Sequence, residues 1–197
     1  MIRVVVGGHS RNIGKTTAAC NILAATSDLG WTAVKMTRFG HGLCAADGKP
    51  CDCAVADPEH PFAVSEERDR EGAADTNRML RAGARRALWL RAPLAQLGDA
   101  MPALEQRIAG DAHVLFESNS GLDFFDRDLY IAVLDFRVQD FKASARRHLQ
   151  RADVFLLADP GGEPPWDWFD RSLLARKPVL PLSNANLAQI VRAAARP

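Results

Sequence analysis

Ten residues near the N-terminus, Gly8-His9-Ser10-Arg11-Asn12-Ile13-Gly14-Lys15-Thr16-Thr17, constrain this chain more than any others. They follow a β-branched apolar run, Val4-Val5-Val6, and lead into Ala18-Ala19-Cys20-Asn21-Ile22-Leu23-Ala24, a good helix former. Strand, glycine loop and helix in that order curl backbone amides around one point and add the helix dipole to them, which makes an anion site. Lys15 then reaches the β- and γ-phosphates of a nucleotide, and Thr16 places its hydroxyl on Mg²⁺. Gly8, Ser10, Arg11, Asn12, Ile13, Gly14, Lys15, Thr16 and Thr17 are therefore the candidate nucleotide-binding residues. Ser10 and Asn12 serve through loop amides and turn hydrogen bonds, whereas Arg11 either senses phosphate or is solvated. The common P-loop spacing leaves four residues between the two glycines; here five separate Gly8 from Gly14, and His9 stands where a glycine would be.

Apolar runs of strand length recur at Ile2–Gly7, Thr32–Met36, Ala87–Arg91, His113–Glu117, Leu129–Leu134, Asp153–Ala158 and Pro178–Leu182. Segments with helical spacing separate most of them, so helices are expected over Lys15–Leu29, Glu67–Ala82, Leu94–Ala109, Gln139–Arg151, Trp166–Ala175 and Asn184–Ala195. The alternation reads as α/β. Near-continuous Val, Ile and Leu in the strands implies cover on both faces, hence a mostly parallel sheet flanked by helices, the P-loop nucleoside triphosphate hydrolase fold. At 197 residues with 47% hydrophobic content, one domain over 1–197 is expected. Thr37–Ser65 interrupts the pattern with Gly40, Gly42, Gly48, Pro50, Pro58 and Pro61, and reads as a long inserted loop.

A net charge of +1, from 25 basic and 24 acidic side chains, supplies no electrostatic argument for nucleic acid or an anionic membrane. No stretch has the length to span a bilayer, and Ile2–Val6 is too short for a signal h-region, so the expected compartment is the cytoplasm. In that setting three cysteines within ten positions, Cys44, Cys51 and Cys53, point to metal or redox chemistry before disulfides. With His41 and His60 they offer soft or borderline ligands for zinc or another thiophilic metal, His41, Cys44, Cys51 and Cys53 being the candidate set. The one-residue gap between Cys51 and Cys53 departs from the usual zinc spacing, so packed or redox-exposed thiols are the competing reading. Cys20, on the first helix, reads as core. Phe124-Phe125 and Trp166-Asp167-Trp168-Phe169 read as packing or a dimer contact rather than a base-stacking platform.

A magnesium nucleotide site also needs a carboxylate at the end of a neighbouring strand. Glu117 closes His113–Glu117 and precedes the polar loop Ser118-Asn119-Ser120-Gly121, at the carboxyl edge of the sheet where such ligands bind. Lys15 and Glu117 are the candidate catalytic residues, Thr16 and Glu117 the candidate Mg²⁺ ligands. Asp135 and Asp159, at the ends of later strands, are rivals for Glu117.

Several landmarks resemble the MobB (molybdopterin-guanine dinucleotide biosynthesis protein B) family of small GTP-binding proteins. Val34-Lys35-Met36-Thr37 is similar to that family's Lys-His-Thr segment. Asp75-Thr76 followed by Ala82-Gly83-Ala84, the Glu117 strand and Pro178–Leu182 with its final helix match in order and spacing. The lengthened P-loop itself resembles that of dethiobiotin synthetase and its SIMIBI-class relatives. The resemblance implies GTP, a homodimer and a molybdenum cofactor biosynthesis partner. The departures are Ser118 where the family has glycine after its glutamate, His9, and the cysteine insertion. Asn184-Ala185-Asn186 lacks the lysine and aspartate of the guanine signature, so ATP stays open beside GTP.

Three functions follow as alternatives: a slow MobB-like nucleoside triphosphatase, an ATP-dependent small-molecule ligase or kinase with Lys35 and Arg38 as anion contacts, and a metal carrier or sensor gated by nucleotide.

Overall fold

The computed structural model describes residues 1–39, 62–182 and 186–195. Eight strands form one sheet: β1 (Ile2–Gly8), β2 (Thr32–Phe39), β3 (Ala63–Glu67), β4 (Arg86–Pro93), β5 (His113–Glu117), β6 (Leu129–Leu134), β7 (Val154–Leu157) and β8 (Val179–Pro181). Their order is β3-β4-β2-β5-β1-β6-β7-β8. All neighbours are parallel except β3, which runs antiparallel to β4. Among the described residues six helices accompany them: α1 (Lys15–Ala25), α2 (Asp75–Arg81), α3 (Leu97–Ile108), α4 (Ala143–His148), α5 (Ser172–Arg176) and α6 (Asn186–Ala194).

Alternation along the strands divides the core into two layers. Val4, Val6, Ala33, Leu115, Ile131, Val133 and Leu156 pack with Ala18, Ala19, Ile22 and Leu23 of α1, Met79 and Leu80 of α2, and Leu187 and Val191 of α6. Val5, Val34, Met36, Leu88, Phe116, Ala132 and Phe155 face the other way, onto Leu97, Leu104 and Ile108 of α3 and Leu173 of α5. A strand buried on both faces has no polar side to show, which is why the central strands read as continuous apolar runs.

Four expected boundaries shift for local reasons. The irregular stretch expected over 37–65 is narrower, since β2 continues to Phe39 and β3 occupies Ala63–Glu67. The helix expected from Glu67 begins only at Asp75: Glu67 Oε1 accepts from the amides of Arg68 and Asp69, and Asn77 ties Asp69 and Ala74 into a turn. Gln139–Lys142 is pulled onto the P-loop, so α4 starts at Ala143. Trp166–Phe169 is spent on an aromatic cluster, which leaves α5 only Ser172–Arg176.

Cys20 is half-buried against the α1 layer. The candidate metal ligands His41, Cys44, Cys51 and Cys53, with His60, lie outside the described residues, as do Asn184 and Ala185. Among the described residues no helix is long and apolar enough to cross a membrane.

Candidate functional site

The site forms where β1 and β5 end, beside the middle of β2 and the N-terminus of α1. Parallel register sets Val6 opposite Glu117 and Glu117 opposite Lys35, so three adjacent strands place these residues in one row. Glu117 and Lys35 share the sheet face that carries α1 and α2, because Leu115 and Ala33, two residues before each, pack in that layer.

Gly8 to Thr17 wraps this row. Asn12 (φ 55°) and Gly14 (φ 94°) take left-handed backbone conformations that turn the chain into α1. A φ of 94° favours glycine at position 14, where a Cβ would also lie 2.8 Å from Leu182 Cδ2, the movable end of a side chain. The Gly14 carbonyl accepts the first helical bond, from Ala18 N at 2.8 Å. The preceding amides of α1 have no intrahelical partner, and no acidic side chain stands in the first turn to neutralise them. Arg11 and Asn12 are exposed, while Ile13 plugs its side chain into the core and leaves its backbone to the loop.

Lys15 folds back so that Nζ donates to Ser10 O at 2.5 Å. Burial lowers its pKa to about 8, against the pull of Glu117 in the other direction. Thr16 Oγ1 donates to Glu117 Oε2 at 2.8 Å, and Glu117 is 2% exposed. The second oxygen, Oε1, accepts from Lys35 Nζ at 2.6 Å, and the same ammonium lies 2.7 Å from Asp75 Oδ2 at the start of α2. Burial alone would lower the Lys35 pKa, yet the carboxylates of Glu117 and Asp75 raise it above the ordinary lysine value. Asp75 is likewise held below the usual carboxylate range, the Lys35 ammonium outweighing the effect of burial.

Of the three carboxylates considered from sequence, Glu117 is the one that touches Thr16. Asp135 is committed to Arg137, whose Nε and Nη2 donate at 2.9 and 2.8 Å, and that pairing holds its pKa down. Asp159 accepts from Gly161 N at 3.2 Å and lies 3.8 Å from Arg137. Thr16, Glu117 and Asp75 together are hard oxygen donors, and an ammonium already sits among them as a stand-in cation. That donor set fits Mg²⁺, which keeps waters and phosphate oxygens in its remaining positions.

His9 is held inside the fold. It is 1% exposed; its Nδ1 donates to Asp140 O at 2.8 Å and its Nε2 accepts from Asp135 N at 3.0 Å. The two partners fix the tautomer and keep the ring neutral, consistent with a pKa lowered by burial. Phe141 and Trp166 pack on the ring with centroids 5.0 and 4.8 Å away. Ser10 Oγ donates to Asp140 Oδ2 at 2.5 Å and Lys142 N to His9 O at 2.8 Å, so the segment after β6 is bolted to the P-loop.

No protein-family model matches the sequence, and no curated protein sequence matches it. Solved structures do. LpxK from Aquifex aeolicus, in complex with ATP, superposes over 91% of this chain at 15% identity with a TM-score of 0.52. The chain spans about half of that structure, 53% of its length. HypB from Helicobacter pylori, in complex with nickel, aligns over 98% of this chain and 84% of its own at 13% identity and a TM-score of 0.46. The fold is that of the P-loop nucleoside triphosphatases.

Sequence reading brings together Lys15, Thr16 and Glu117 but misses Asp75 and Asn119 as parts of the site. Asp75 carried a signal only through its resemblance to a family landmark. Asn119 carried one in its place two residues beyond Glu117.

Proposed function

We propose that the chain binds a magnesium nucleoside triphosphate at Gly8–Thr17 and hydrolyses it slowly. The observation that carries this reading is the Thr16 Oγ1–Glu117 Oε2 contact, 2.8 Å long and buried beside the N-terminus of α1. In phosphoryl transfer the protein contributes positioning and charge stabilisation more than covalent chemistry. Lys15 and the α1 amides bind the phosphates, and Thr16 and Glu117 hold the metal directly or through water. Bound Mg²⁺ would supply charge neutralisation on the phosphates. The amide that directly follows Glu117, that of Ser118, donates to Val6 O at 3.1 Å and is not offered to a γ-phosphate, in keeping with slow turnover.

Within that reading the MobB-like landmarks favour GTP, a homodimer and a role in molybdenum cofactor biosynthesis. Asp75 supports the likeness, because this landmark reaches the site through Lys35. Binding of GTP and ATP by the wild type and by Lys15→Ala, with light scattering for the dimer, tests the proposal. Equal binding by the variant would remove the site assignment.

A second reading, an ATP-dependent enzyme acting on an anionic small molecule, is favoured by one observation. Lys142 has its pKa lowered by burial and then by the nearby cations Arg11, Arg38 and Lys35, so positive charge gathers beyond what Lys15 provides. ATP turnover that rises on adding one of a panel of small anionic metabolites would support it, and a constant basal rate would count against it.

A further inference from the structure

Lys35 occupies the place that a divalent cation needs. Its Nζ lies 2.6 Å from Glu117 Oε1 and 2.7 Å from Asp75 Oδ2, while the other Glu117 oxygen accepts from Thr16. We propose that Lys35 is a built-in counter-cation that keeps the metal site closed until a nucleotide arrives, so that metal and nucleotide load together. The inference rests on the reading of Gly8–Thr17 as a magnesium nucleotide site and assigns the control of that site to one residue.

Glu117 is 2% exposed, and a carboxylate buried that deeply requires a positive partner at all times. In the structure Lys35 is that partner. A divalent ion arriving alone must either displace this ammonium or sit against it, with the Lys15 ammonium close by, and like charges at contact distance in a partly desolvated site repel strongly. A triphosphate changes the balance by bringing enough negative charge for both cations. The lysine side chain, a point charge on a flexible stem, can then leave the carboxylates for phosphate oxygens while β2 stays in place. Asp75 makes the arrangement specific: it is contributed by α2, 40 residues along the chain from Lys35, and its second oxygen is held by Arg78 at 3.4 Å.

The experiment titrates Mn²⁺ into chelator-treated, nucleotide-free full-length protein and follows the free-ion electron paramagnetic resonance signal. Wild type, Lys35→Gln, Lys35→Met and the Lys35→Gln/Glu117→Gln double variant are compared. Lys35→Gln retains a hydrogen-bond donor for the carboxylates and decides the matter should Lys35→Met fold poorly. The expected result is Mn²⁺ affinity at least tenfold higher in the single variants than in wild type, lost again in the double variant. A melting temperature that rises with Mg²⁺ in Lys35→Gln but not in wild type is the companion readout. Single variants that bind Mn²⁺ no more tightly than wild type would overturn the proposal, as would a gain that survives Glu117→Gln. Nucleotide binding by wild type is scored separately: its absence would defeat the proposed function, whereas the Mn²⁺ comparison still decides the role of Lys35.

Discussion

Asn119 pairs its side-chain amide with both backbone polar groups of Gly8: Oδ1 accepts from Gly8 N at 2.8 Å and Nδ2 donates to Gly8 O at 2.7 Å. β5 has ended at Glu117 by this point, so the side chain stands in for the next strand residue and keeps the start of the P-loop in register with the sheet. Removing it leaves a part-buried donor and acceptor unmatched. Asn119→Ala should cost about 2–4 kcal/mol in urea denaturation, the sum of two such losses. A cost within a few tenths of a kcal/mol would mean that water replaces the amide at no penalty.

Gly7 is what lets Asn119 approach. A Cβ on Gly7 would lie 2.3 Å from Asn119 Oδ1 and 2.9 Å from the Tyr130 ring. Gly7→Ala should therefore expel the Asn119 side chain, and the two substitutions should fail to add: Gly7→Ala should cost at least about 1 kcal/mol less in the Asn119→Ala background than in wild type. Full additivity in the double-mutant cycle would assign the whole effect to the Tyr130 ring.

His9 is buried and neutral, with a folded-state pKa lowered from its ordinary value of 6.5 by burial. Below that value the unfolded chain takes up a proton that the folded ring resists, so stability present at pH 7 and above is lost as pH falls through the unfolded pKa toward the folded one. The slope approaches about 1.4 kcal/mol per pH unit for one such group. His148 is buried and shifted in the same direction, so wild type should show the combined loss of two histidines. His9→Asn preserves a donor toward Asp140 O, lowers stability at pH 7.5, and should remove about half of the loss between pH 7.5 and pH 5.5. An unchanged acid slope in this variant would place the titration elsewhere.

What could be read from sequence was what is local. Gly8 to Thr17 declares itself because strand, loop and helix are consecutive, and Glu117 because an acidic residue ends an apolar run. Asp75 needs α2 to dock beside α1 before it meets Lys35, and no spacing along the chain announces that. β3 was hidden by its place at the sheet edge, where Ala63-Val64-Ser65-Glu66-Glu67 lies only partly buried and carries two acidic residues. His9 looked like a flaw in the phosphate loop because the sequence names the residue without its direction. In the structure it faces Phe141 and Trp166. The start of the Gln139–Arg151 helix was misplaced for the same reason, its first turn being taken by bonds to His9 and Ser10.

If the proposed function holds, Glu117 and Asp135 should separate a metal role from mere acidity at the sheet edge. Glu117→Gln keeps an acceptor for Thr16 but removes the charge that faces Lys35 and the metal, so hydrolysis should fall roughly a hundredfold while nucleotide is still retained. Asp135→Asn should leave turnover within about twofold, because its carboxylate serves Arg137. Steady-state phosphate release with both variants is the measurement. A larger loss from Asp135→Asn than from Glu117→Gln would reverse the assignment.

On the proposed reading, Lys15 should make nucleotide binding sensitive to pH in a defined direction. Its pKa in the ligand-free protein is lowered by burial to about 8, below the 10.5 of a free lysine. Phosphate oxygens favour the charged form, so the bound state holds its proton to higher pH and binding above pH 8 must draw one from solution. Affinity should be flat below pH 7 and fall above pH 8, reaching about tenfold weaker near pH 9, where roughly one molecule in ten carries the ammonium. Calorimetric titrations at pH 8.5 in buffers of different ionisation enthalpy should register between half and one proton taken up per nucleotide. Lys15→Arg, whose guanidinium does not titrate in this range, should bind with no such uptake. Equal proton uptake by Lys15→Arg would show that another group near the phosphates titrates, and the pH dependence would then belong to that group.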